Sequence, residues 1–176
     1  MADTTITAIL GLATILGSGV VAGYVTHRLT RNQNQFVFLR EKAEALYLAA
    51  DEYGRRFGGQ MVTYFPLLEG RYDYNDMLDK QNEFGSASSK YGGAETMTMI
   101  VEIYFPSVRP ALQGVWDARA EFNKVTAAIR ALWERQAEVS EMGTPFRRAS
   151  LKVDKAIENL KSEIVIAARA KSGVKQ

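Results

Sequence analysis

Two patterns of apolar residues follow one another along the chain. From Thr4 to Thr26 the sequence TTITAILGLATILGSGVVAGYVT carries no charge and no proline. A run of this kind matches the roughly 20 residues that cross a hydrocarbon core as a helix, and a soluble helix of that length rarely lacks charge all round. It predicts a transmembrane anchor over residues 1–27. The opening MADTT has no basic residue, and the run ends on Tyr24, His27 and Arg28 without the shorter apolar core and small-residue cleavage site of a signal peptide, so the anchor is expected to stay on the chain.

Beyond it the pattern changes to apolar positions at helical spacing. Phe36, Leu39, Ala43, Leu46, Ala50, Tyr53 and Phe57 recur every three or four residues with charged residues between them, the mark of an amphipathic helix or coiled-coil seam. No glycine or proline interrupts Gln33 to Tyr53, which predicts one helix leading from the anchor into a bundle; Gly54, Gly58 and Gly59 predict its bend or end. A short helix is expected over Gln60–Leu68. Asn75 or Asp76 is expected to cap a helix through Met77, Leu78, Gln81 and Phe84. Gly85 to Gly93 reads as a loop, and a helix resumes over Ala94–Tyr104. A long helix is predicted from around Pro106–Pro110 to about Ser140, with Val108, Leu112, Val115, Phe122, Ile129, Leu132 and Trp133 on its stripe. Gly143-Thr144-Pro145 predicts a stop and a new start, with Thr144 as cap and Pro145 at the first helical position. The last helix places Phe146, Val153, Ile157, Leu160, Ile164 and Ala167 on one face. No segment alternates in the period of a strand. The expected fold is all-α: one N-terminal membrane helix continuing into an up-and-down helical bundle over residues 28–176.

Flanking charge sets the expected orientation. His27, Arg28 and Arg31, then Arg40 and Lys42, follow the span, and only Asp3 and the terminal amine precede it. The positive-inside rule places the bundle in the cytoplasm and the N-terminus outside, in a cell inner membrane. The same cations suit contact with anionic lipid. Within the span Gly11, Ile15, Gly19, Gly23 and His27 recur every four residues, and Gly19/Gly23 form a GxxxG pair that lets helix backbones approach closely in lipid. A homo-oligomer packed through Gly11, Gly19 and Gly23 is the expectation.

The triplet Tyr-Phe-Pro occurs twice, at Tyr64-Phe65-Pro66 and Tyr104-Phe105-Pro106. Proline disfavours the α conformation in the residue before it, so each triplet predicts a matched helix corner whose aromatics pack in the core. The competing reading makes Tyr64, Phe65, Tyr104 and Phe105 a surface for a protein partner.

Composition removes most chemistry. The chain has no cysteine, so thiol nucleophiles and zinc–thiolate sites lack their parts, and its one histidine, His27, sits at the expected membrane edge, away from the bundle where a Ser-His-Asp triad would be built. No Glu-x-x-His pair exists for a metal in the bundle. The glycine pairs have neither P-loop nor dinucleotide spacing, and Asp73, Asp76, Asp79 and Glu83 lack the ligand spacing of a calcium loop and read as a solvated face. A net charge of +2 does not predict a specific nucleic-acid partner; Arg147, Arg148 and Lys152, like the basic C-terminal tail, read first as solvating residues. No enzyme and no cofactor is expected.

The segments FLREKAEALYLAADEY and MIVEIYFPSVRPAL resemble a diffuse group of small bacterial and phage proteins with an N-terminal anchor, a helix opening near REKxExLY and a later helix ending on YFP. The layout is also similar to the small membrane accessory proteins of some RNA-targeting CRISPR systems, which oligomerise into pores. That resemblance implies an alternative to a scaffold, a pore-forming or membrane-depolarising effector in phage defence. It also brings an Arg-x-x-x-x-His nuclease-like motif, and this chain has no arginine before His27.

Overall fold

A computed structural model describes the backbone of residues 2–85 and 93–172, and the side chains of residues 28, 30, 31, 33–83 and 93–171. The described residues form five α-helices: α1 Ala2–Leu68, α2 Tyr74–Gly85, α3 Gly93–Tyr104, α4 Arg109–Glu134 and α5 Gly143–Ser172, with 3₁₀ turns at Pro106–Val108 and Ser140–Met142. No strand occurs among them, so the all-α expectation holds. The chain divides into two compact units, Met1–Arg40 and Glu41–Gln176.

The second unit is an up-and-down bundle, and its interhelical contacts give the directions. From Glu41 onward α1 is the first leg. α2 and α3 together make the second, returning beside it: Gln81 of α2 donates to Thr63, and at the far end the Lys42 ammonium lies over the Tyr104 ring of α3. α4 runs parallel to α1, since Tyr53 meets Trp116 and, further on, Tyr64 meets Phe122. α5 descends, with Phe146 against Tyr64 and Lys161 against Asp51. The stripe of α5 is buried as its spacing predicts, with Phe146 and Val153 fully inaccessible. Ala43, Leu46, Ala50 and Phe57 of α1 join it, while Phe36 in the first unit is exposed.

Several helix ends depart from expectation. α1 does not stop at Gly54, Gly58 or Gly59, and Gln60–Leu68 is its continuation, not a separate helix. It stops at Gly70, whose φ of +71° suits glycine. The Gly70 amide donates to the Leu67 carbonyl and the Arg71 amide to the Pro66 carbonyl, the paired bonds of a Schellman end. α4 stops at Glu134, short of Ser140, in the same way: Gln136 takes φ +56°, and the Gln136 and Ala137 amides donate to Trp133 and Leu132. A non-glycine residue fills the left-handed position there. The cap of α2 is Asp73, ahead of the expected Asn75 or Asp76. Its carboxylate accepts from the Asp76 amide at 2.8 Å while Asp76 accepts from the Asp73 amide at 3.1 Å, so two of the acids read as a solvated face form a reciprocal capping box. α5 begins at Gly143, which places Thr144 inside the first turn rather than as its cap, and Pro145 at the third helical position rather than the first.

Glycines inside α1 have different reasons to be there. A Cβ on Gly54 would stand 3.3 Å from Ile157 Cγ2, so α5 approaches α1 closely at this point; a Cβ on Gly58 would meet nothing within 4 Å. Gly58→Ala therefore gains helix propensity at no steric cost. It is expected to raise unfolding free energy by about 0.5–1 kcal/mol, read as a higher denaturation midpoint with unchanged slope.

Candidate functional site

The residues expected to act divide into three groups. Gly11, Gly19, Gly23 and the side chain of His27 lie outside the described side chains, as does the side-chain pattern of the whole 4–26 run. Among the described residues no helix is long and apolar enough to cross a membrane. Arg28 and Arg31 are described, and both are exposed on the first unit, followed on the same unit by exposed Phe36, Val37 and Phe38.

The Tyr-Phe-Pro aromatics are placed by the fold of the second unit. Tyr64 is buried, and its ring lies 5.0 Å from Phe146 and 6.3 Å from Phe122. Phe65 is partly buried, edge-on to Phe146 at 5.7 Å. At the opposite end Phe105 is fully buried, with the Lys171 ammonium 5.2 Å over its ring. Lys171 also donates to the Tyr104 carbonyl, so the basic end of α5 is tied to the corner between α3 and α4. Tyr64 and Phe105 are thus buried in the core, while Phe65 and Tyr104 are partly buried and packed against it. The two triplets are also not equivalent corners. Tyr104 ends α3 and Phe105 leaves the helical region at φ −133°, whereas α1 continues through Pro66 for its last turn.

Polar contacts between the helices are of two kinds. On one side of α5, Lys161 bridges Asp51 at 3.1 Å and Glu158 at 2.9 Å while stacking over Tyr47. Desolvation and then the Glu158 charge push the Asp154 carboxyl above its usual range at the edge of this cleft. A carboxyl whose pKa is raised by folding loses stability above that raised value, and the loss is absent below its unfolded pKa. Asp154→Asn is expected to melt slightly higher than the parent at neutral pH, the gap closing as pH falls below the ordinary carboxylate range; melting curves across that range check it. Between α1 and α4, Arg119 stacks over Phe57 at 4.7 Å and donates to Gln60 at 3.2 Å.

On the other side of α5 a groove of about 560 Å³ opens toward α4, floored by Val125 and Ala149 and edged by Leu151, Arg148, Lys152 and Lys155. Lys152 is paired across it with Glu121 at 2.6 Å. Arg148 and Lys155 are exposed and have no ion-pair partner among the described residues. In the sequence Arg148 and Lys152 read as solvating residues, and nothing singled out Lys155. The spacing 148, 152, 155 does place them on one helical face, but the opposing wall comes from α4, distant in sequence.

Among the described residues no group of His, Asp and Glu could hold a metal ion. No protein-family model matches the chain, and comparison with curated proteins and with solved structures found no significant similarity.

Proposed function

We propose that the protein is a membrane-tethered helical scaffold that self-associates, anchored once in a cell inner membrane with its N-terminus outside and its bundle in the cytoplasm. The uncharged, glycine-striped run from Thr4 to Thr26, followed at once by His27, Arg28 and Arg31, carries this reading. The exposure of Arg28 and Arg31 leaves them available to anionic headgroups. The bundle gives such a scaffold a packed apolar and aromatic core. The partner of such a scaffold is membrane lipid, a further copy of itself, or a protein held at the membrane.

The test of self-association is Gly19→Leu combined with Gly23→Leu in the full chain, sized in detergent by light scattering. The assembly is expected to shrink, because leucine side chains hold the backbones apart. An unchanged size would count against packing through the glycine stripe. Expression with intact membrane potential under every condition would count against the depolarising effector that the CRISPR-accessory resemblance implies.

A further inference from the structure

We infer that the bundle carries a second self-association surface, in which the groove between α4 and α5 of one copy receives the outer face of α2, with Leu78 and Asp79 on it, from the next. The proposal rests on the scaffold reading above for its setting, but it uses none of the anchor residues.

The receiving surface is apolar in its floor and basic at its edge. Leu151 is 53% exposed at the rim, and Arg148 and Lys155 stand beside it without an ion-pair partner among the described residues. An exposed leucine flanked by exposed cations fits a ligand with the complementary layout, an aliphatic side chain beside carboxylate and amide oxygens. α2 has that layout. Its inner face is committed to the bundle through Tyr74 and Met77, both buried, with Tyr74 stacked on Trp133 at 4.9 Å. Its outer face presents Leu78, 39% exposed, beside exposed Asn75, Asp79 and Asn82, three to four residues apart and so on one side of the helix. Asp76 and Asp73 add negative charge at its start, where they cap the helix.

The two surfaces are different parts of the same chain, so the contact is head-to-tail. A head-to-tail contact closes into a ring when its rotation allows and otherwise extends as an open chain. A cyclic ring keeps every copy in the same orientation along its axis, as anchoring in one bilayer requires. The mode is a helix laid in a groove, with one aliphatic anchor and a charged border.

The experiment is a charge exchange in the full chain, sized in detergent at low and high salt. Arg148→Glu with Lys155→Glu reverses the groove. Asp79→Lys with Asn82→Lys makes the helix face basic and leaves the capping pair untouched. All four positions are exposed, and circular dichroism melts confirm folding of each variant. Each pair alone is expected to weaken assembly about tenfold or more, and the four changes together to restore it; high salt is expected to weaken the parent contact. An unchanged assembly in both single pairs overturns the proposal, as does a combined variant no better than either alone. Assembly unchanged in the groove variant, while the parent alone retains anionic lipid through detergent purification, assigns the groove to lipid and also overturns it. Shrinkage by the Gly19/Gly23 change with no effect of charge exchange removes this contact and leaves the scaffold reading standing.

Discussion

Phe146→Ala is expected to lower the unfolding free energy of the bundle by about 3–5 kcal/mol, the range for truncating a fully buried phenylalanine. Phe146 has no exposed surface and is where three legs meet. Its ring lies 5.0 Å from Tyr64 and 5.7 Å from Phe65 of α1, and 5.3 Å from Phe122 of α4. Removing it leaves a void bounded by rings on rigid helices, which cannot collapse to fill it, and loses the ring-to-ring contacts themselves. A domain of this size is stable by only about 5–15 kcal/mol, so the variant should be marginally folded. Urea unfolding followed by circular dichroism measures it, as a lower midpoint with unchanged slope. A loss below about 1 kcal/mol would mean that Phe146 is not the hub of this core.

Gly54→Leu is expected to cost about 1–3 kcal/mol, the usual penalty for overpacking. Leucine is a better helix former than glycine, so propensity alone predicts the opposite sign. The deciding fact is the 3.3 Å that already separates a Cβ at this position from Ile157 Cγ2. The further side-chain atoms of leucine must displace Ile157, which is buried, or push α5 off α1 and strain the Lys161–Asp51 bridge one turn away. Measured beside Gly58→Ala in the same helix, the two changes should move the midpoint in opposite directions. Movement in the same direction would show that α5 does not approach α1 as closely as described.

The parts of the fold that were legible in the sequence are those with long, uninterrupted helical periodicity. Most of the buried face of α5 could be read from Phe146 to Ala167, because burial against neighbouring helices selects apolar residues at helical spacing; Ala149 and Ser150, also buried, fell outside the expected stripe. Helix ends were harder. The stop of α4 was invisible because Gln136, not glycine, occupies the left-handed position. The glycines at 54, 58 and 59 suggested a break that α1 does not have, because the reason for Gly54 is the side chain of Ile157, far along the chain on another helix. The Tyr-Phe-Pro repeat signalled packed aromatics but not the difference between its two copies, which depends on whether the chain turns at Phe105 or continues to Gly70. The groove needed both α4 and α5 before its cations became one surface.

The central claim is the membrane tether, and extraction of the full chain tests it most directly. Membranes from cells expressing the protein are washed with alkaline carbonate, which strips peripheral proteins, and then with detergent. The full chain is expected to stay in the pellet through carbonate and to dissolve only in detergent, whereas a chain lacking residues 1–27 is expected in the soluble fraction from the start. Recovery of the full chain in the carbonate supernatant, or equal partitioning of the two chains, would contradict the account.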